Sequence, residues 1–281
     1  MSANQQVAQN GFGFAQLLEA AAKLPGVRID RADYLRKALQ RHCTEDQVSR
    51  AIAESPAAAG IPLEVIREAA DSSIRFETSK VTALSAAAGI PGGWALLGSV
   101  PADLAQFMGH LLRVTQKLAY IYSWPDLFEN SGEDLDEATE SLLTLFIGVM
   151  FGVSVAQAGV TKVAEMMAAQ AVKKLPQKAL TKGIIYPTVK NVAGLLGVAM
   201  TKKTFASGVA KAIPVAGALL SGGLTLATFL PMSRRLQRHL ASLELTKPGL
   251  RAPNEDRGDD ELQRDEADED QPRDLYAPHT S

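Results

Sequence analysis

Of the residues whose side chains could build a reaction, few stand at a useful spacing. Asp103 and His110 are seven residues apart, two helical turns, so a helix opened by Pro101 would carry both on one otherwise apolar face. A carboxylate beside an imidazole in an apolar pocket is tunable acid–base chemistry. It also needs a nucleophile or a metal, and no spacing supplies either. Asp103 would equally serve as the acidic residue of a helix first turn, worth about 0.3–1 kcal/mol. Tyr122, Trp124 and Asp126 form an aromatic cluster with Tyr120, which reads as an interfacial belt or as a packed helix corner. Cys43 adjoins His42, but neighbouring residues on a helix point in different directions. His42, His110, His239 and His279 are scattered, so no metal site and no cofactor are expected. Gly89, Gly92, Gly93 and Gly98 make a glycine-rich break before a helix. No strand precedes it and no Lys-Ser/Thr pair follows, so a close-packed turn is expected ahead of a phosphate cradle.

Charge is sorted along the chain. Residues 1–161 carry a net −6, residues 162–251 a net +12 and residues 252–281 a net −8, within an overall −2. A lysine-rich block of this size suggests an anionic partner: lipid headgroups, nucleic acid or the chain's own acidic tail. Lys173, Lys174, Lys178 and Lys182 adjoin apolar residues, Lys202 and Lys203 follow, and Arg234, Arg235 and Arg238 come directly after an apolar helix. Basic clusters bordering apolar helical surface suit anionic lipid, at about 1 kcal/mol per charge near the surface. An ordinary solvated face is the plainer reading. Nucleic acid is not expected, because the block is apolar and has few aromatics to stack on bases.

The elements that must position these residues are all helical. Asp30 caps a helix over Arg31–His42, and Thr44 with Gln47 forms a capping box for a second helix to about Glu54. Pro62 opens a third to about Ala88 and Pro101 a fourth to about Tyr122. Ser131 with Asp134 reads as the start of a fifth, acidic at first and apolar from Leu142 to Val160. A basic amphipathic stretch continues to Lys178, with further helices at about 187–203 and 214–243. No alternation argues for a sheet. The fold class is therefore all-α: a compact, Gly/Ala-rich multi-helix bundle. A flexible terminus over 1–11 precedes a helical domain over 12–250, divided into a 12–60 extension and a 61–250 core. A disordered acidic tail follows over 251–281. The single cysteine allows no intrachain disulfide, and the opening residues lack the pattern of a secretory signal.

Two stretches, Leu142–Thr161 and Ala212–Pro231, are free of charge over twenty positions, about one hydrocarbon thickness as helix. If both spanned a membrane, the lysines between them would hold that loop in the cytoplasm and force the polar N-terminal part across. Arg234, Arg235 and Arg238 oppose that arrangement. A peripheral protein, a buried pair of core helices or an inserted hairpin avoids the conflict. Small residues recur at four-residue spacing in both stretches: Gly148, Gly152 and Ala156, then Gly217, Ser221 and Thr225, with Gly222 and Gly223 adjoining. Such ridges allow close helix approach in lipid or in water.

Residues 81–127, VTALSAAAGIPGGWALLGSVPADLAQFMGHLLRVTQKLAYIYSWPDL, and 211–240, KAIPVAGALLSGGLTLATFLPMSRRLQRHL, together resemble the EcsC family. There a Gly-Pro-Gly-rich break precedes an "ADL" helix that ends near an aromatic pair, and a late "IPVxGxxxSGG" helix follows. The likeness spans roughly 60–245. It departs from the family at Tyr122-Ser123, where Tyr-Gly is frequent, which puts the turn there in question. The resemblance implies a helical fold and a membrane context, since the family is named for a protein encoded beside an ABC transporter linked to secretion. It implies no catalytic activity and supplies no active site. The expectation is a non-enzymatic, cytoplasmic protein, peripheral at the inner membrane, that binds an anionic membrane surface or a membrane protein such as a transporter. A membrane-inserting pore former and an enzyme built on Asp103 and His110 are the competing readings, and oligomeric state is left open.

Overall fold

In the computed structural model, the described residues are 13–87, 102–129, 132, 134–170, 175–199 and 222–248. They form ten α-helices and no strand. These are α1 (Phe14–Ala22), α2 (Arg31–Leu39), α3 (Glu45–Ala53), α4 (Leu63–Ala87), α5 (Ala102–Ile121), α6 (Glu137–Met150), α7 (Ser154–Gln170), α8 (Gln177–Thr181), α9 (Tyr186–Ala199) and α10 (Gly222–Ala241). A short 3₁₀ turn, Glu244–Thr246, follows. The terminus over 1–11, the acidic tail over 251–281 and the glycine-rich break with Gly89, Gly92, Gly93 and Gly98 lie outside the described residues, as do Gly217 and Ser221. The all-helical bundle expected from the sequence is the fold observed.

Local signals set the first helices. The Asp30 carboxylate accepts the Asp33 N–H at 2.7 Å, and Thr44 and Gln47 close a reciprocal capping box at the start of α3. Helix α1 was not resolved by the sequence pattern. Its leucines, Leu17 and Leu18, are fully buried against α5 and join the same core as the later helices.

Two sequence expectations are corrected here. The fifth helix begins at Glu137, not near Ser131–Asp134. Its cap is Asp136, whose carboxylate accepts from the Ala138 and Thr139 N–H groups, both at 3.1 Å. The charge-free Leu142–Thr161 stretch is also two helices rather than one. Helix α6 ends in a Schellman turn, where Val153 N–H bonds the Gly148 carbonyl and Gly152 N–H bonds the Val149 carbonyl. Gly152 takes φ +82° there. Gly148 and Ala156 therefore face each other across a helical hairpin instead of forming one ridge. A Cβ on Gly148 would lie 2.7 Å from the Ala156 Cβ and 2.5 Å from Val192 of α9.

Helix α6 is the axis of the bundle. Every residue from Ser141 to Met150 is buried, and α1, α5, α7, α8, α9 and α10 all pack on it. A helix apolar on all sides is satisfied by such a position. None of the described helices is long and apolar enough to cross a membrane.

The end of α5 repeats the Schellman geometry with an unusual residue. Trp124 N–H bonds the Ala119 carbonyl, Ser123 N–H bonds the Tyr120 carbonyl, and Ser123 itself sits at φ +69°. Glycine is the usual occupant of this left-handed position, because a Cβ costs about 1–2 kcal/mol there. Serine is retained with a second function: its hydroxyl accepts the buried Ala57 N–H at 3.0 Å, tying down the 55–60 connection. Ser123→Ala keeps the strain and loses the bond, so it should destabilise by about 1–3 kcal/mol. Ser123→Gly removes the strain as well and should be the milder change; urea unfolding of the two variants checks the order. In the same assay, Gly148→Ala should cost about 1–3 kcal/mol through overpacking against Val192 and Ala156.

Candidate functional site

Two helices carry polar side chains into an otherwise apolar interface. On α4, Ser73, Glu77 and Lys80 follow one another at helical spacing; on α5, His110, Arg113 and Lys117 do the same. The helices pack together, and the stripes meet. The Glu77 carboxylate has no exposed surface. It accepts from Arg113 Nε at 3.1 Å and Nη2 at 3.1 Å, and from the Lys117 ammonium at 2.5 Å. Arg113 also donates to the Gly26 carbonyl, anchoring the α1–α2 connection. The Lys117 ammonium lies 4.7 Å from the centroid of the Phe76 ring and 6.0 Å from that of Tyr34. The Tyr34 hydroxyl in turn meets the Ser73 hydroxyl at 2.9 Å. Phe76 is half exposed, and the Lys80 ammonium stands 4.8 Å from its centroid.

Electrostatics follow from this arrangement. Burial pushes the Glu77 carboxyl up, but the Arg113 hydrogen bonds and the Lys117 charge more than reverse it, so it is held below the ordinary range. Burial pushes the Lys117 ammonium down, against the pull of Glu77. Burial also lowers His110; Glu77 opposes that shift, while Arg113 and Lys80 add to it. His110 is buried and its Nδ1 has no hydrogen-bond partner among the described residues.

The residues singled out by spacing are dispersed. Asp103 lies in the first turn of α5 with its side chain outside the described residues, and His110 lies on the same helix. The described charges around His110 come from α4 and from its own helix. Tyr122 and Trp124 are buried, with Trp124 edge-on to Phe146 at 4.9 Å. Asp126 accepts the Tyr120 hydroxyl at 3.2 Å and the Phe128 N–H at 2.9 Å. This is a packed corner rather than an exposed aromatic belt. No group of three or more potential metal ligands occurs among the described residues.

The basic residues divide by role. Arg234 pairs with Asp71 of α4, joined by Gln237, whose amide donates to the same carboxylate at 2.6 Å. Arg235 donates to the Met150 carbonyl, and its guanidinium lies over Gly152 at the end of α6. Arg238 is exposed and, among the described residues, donates to the carbonyl of Arg234. Gly222 and Gly223 open α10. Lys173, Lys174, Lys202 and Lys203 lie outside the described residues. Lys178, Lys182 and Lys190 are exposed on α8, α9 and their connection. Beside them are apolar side chains in water: Ile184 is 69 % exposed, Leu195 48 % and Val198 50 %.

Spacing alone did not single out Glu77, Arg113, Lys117 or the buried Arg31. The first three carried a readable signal, charges recurring on the apolar face of a helix. Arg31 carried none. It donates to the Ala51, Ile52 and Glu54 carbonyls at the end of α3 and to the Trp124 carbonyl.

Comparison with family models, characterised proteins and solved structures finds no match to this chain.

Glu77→Gln should leave the buried Lys117 and the half-buried Arg113 without their counter-charge and cost about 3–5 kcal/mol in urea unfolding. Lys117→Met should cost less, because Arg113 still neutralises Glu77. The pH profile has a defined sign. His110, lowered in the fold, gives full stability above its unfolded value near 6.5, and that stability is lost as pH falls through it. His239, also lowered by burial, adds to this limb. Glu77 contributes above about 4.5 and loses its contribution as pH falls through its depressed value. Unfolding midpoints should therefore drop in two steps on acidification, and His110→Met should shrink the first.

Proposed function

We propose that this chain is a non-catalytic, membrane-associated helical protein that docks on an anionic bilayer surface through α8, α9 and the turn between them. The observation that carries the reading is the company kept by the exposed apolar residues. Of the five large hydrophobic side chains that are exposed among the described residues, three, Ile184, Leu195 and Val198, stand on the segment that also presents Lys178, Lys182 and Lys190. Apolar side chains that enter the headgroup region beside lysines that meet lipid phosphates are the two contributions interfacial binding combines. Three lysines at about 1 kcal/mol each, added to partial burial of three aliphatic side chains, suffice for reversible binding. The surrounding sequence extends the same chemistry, since Lys173, Lys174, Lys202 and Lys203 flank this segment. The resemblance to the EcsC family supports a membrane context.

Sedimentation with vesicles tests the reading. Full-length protein should pellet with anionic vesicles and not with neutral ones, and high salt should release it. Charge reversal at Lys178, Lys182 and Lys190, or Ile184→Ser with Leu195→Ser, should weaken binding by about tenfold or more. Binding indifferent to salt and to both sets of substitutions overturns the proposal.

A further inference from the structure

The exposed aliphatic residues of α9 border a second helix, and packing contacts fix how α7 and α9 lie beside each other. A Cβ on Gly159 of α7 would stand 3.3 Å from the Thr188 methyl of α9. A Cβ on Gly148 would meet both Ala156 of α7, at 2.7 Å, and Val192 of α9, at 2.5 Å. Stepping back along α7 from Gly159 to Ala156 is therefore stepping forward along α9 from Thr188 to Val192, so the two helices run antiparallel. Val155 precedes Gly159 by four residues and Leu195 follows Thr188 by seven, so each lies on the side of its helix that meets the other. At 1.5 Å per residue they stand about 6 Å and about 10 Å beyond the Gly159–Thr188 contact, in the same direction. Side chains lean toward the N-terminus of their helix, which carries Val155 forward and Leu195 back, each toward the other.

Val155 is 38 % exposed, and its place beside Leu195 and Val198 makes one aliphatic strip from two helices. Four of the five exposed large hydrophobics among the described residues thus lie on α7, α9 and the turn before α9. The fifth, Phe76, is on α4, which packs on α2, α5 and α10. Lys162, seven residues after Val155 and on the same side of α7, is bridged to Glu165 at 3.2 Å. Helix α7 therefore offers apolar surface, while Lys178, Lys182 and Lys190 supply charge from α8, α9 and their connection.

We propose that α7 shares the bilayer contact: Val155 enters the headgroup region of an anionic membrane together with Leu195 and Val198, and the protein lies with α7 and α9 side by side against the lipid. This rests on the α8–α9 docking surface proposed above and carries it to a helix whose contacting residue lies outside the lysine-rich block. The lysines beside the strip select anionic lipid as its occupant.

The full-length chain carrying Val155→Cys and Cys43→Ser, labelled at position 155 with a polarity-sensitive dye, is titrated with vesicles of phosphatidylcholine alone or mixed with phosphatidylserine. A blue shift is expected with the mixed vesicles only, and the same dye placed through Phe76→Cys should not respond. Unlabelled Val155→Ser should keep the urea midpoint and weaken sedimentation with the mixed vesicles by about threefold or more. Phe76→Ser removes a larger side chain that is 51 % exposed, yet should leave sedimentation unchanged. Absence of either response at position 155, or equal weakening by Phe76→Ser, overturns the α7 contact. If charge reversal at Lys178, Lys182 and Lys190 still releases the protein, the α8–α9 surface stands without it. A protein that sediments with neither vesicle overturns both readings. A blue shift that grows with protein concentration in the absence of lipid assigns the strip to a second copy and overturns the proposal.

Discussion

A helix that is apolar on every side has no face to offer water, and α6 is such a helix. From Ser141 to Met150 each side chain is enclosed, so the remaining elements must surround it. That requirement explains features that look unrelated in the sequence. Gly148 lacks a side chain because α7 and α9 both need to come close to α6. The hairpin at Gly152 turns the apolar stretch back on itself, so that α7 covers the helix before it. Helices α1 and α10, from opposite ends of the described chain, close the remaining sides. Burial of each large side chain contributes about 1.5–3 kcal/mol, far more than the surface ion pairs supply.

Enclosing helices creates a second demand, because their terminal carbonyls are removed from water along with the side chains. Arginine answers it twice. Arg31 spreads its guanidinium over the end of α3 and the end of the α5 corner, and Arg235 reaches the last carbonyl of α6. Long, permanently charged side chains with several fixed donors suit this role, and the negative end of a helix dipole favours them. The cost is positive charge held inside the bundle. In the α4–α5 seam a single carboxylate, Glu77, is paired with both Arg113 and Lys117.

The sequence discloses what is local. The Asp30 and Thr44 caps are legible because each joins a side chain to an N–H three residues on, and Pro62 marks the start of α4 because its φ is already fixed near the helical value and it has no N–H to satisfy. The break within Leu142–Thr161 is illegible, since a glycine in an apolar run reads equally well as helix interior. Gly152 becomes a turn through the packing of Ala156 on Gly148 and the arrival of Arg235 from α10. The candidate site divides the same way. His110 is placed on its helix by periodicity, but its meeting with Glu77 and Lys80 depends on how α4 docks on α5. Likewise Arg234 and Arg235 read as surface charge until their partners, Asp71 and the Met150 carbonyl, arrive from distant segments.

The central place of α6 has a consequence for how the protein is made. Synthesis proceeds from the N-terminus, so Glu137–Met150 is completed long before Gly222–Ala241. At ordinary elongation rates the interval is on the order of ten seconds. Helices α1 and α5 are already present to shelter two sides and α9 follows midway, but the side owed to α10 stays open throughout. The nascent chain thus carries an uncovered apolar cylinder at the ribosome. In that interval holdase chaperones and neighbouring unfinished chains compete for the surface that the last helices will claim.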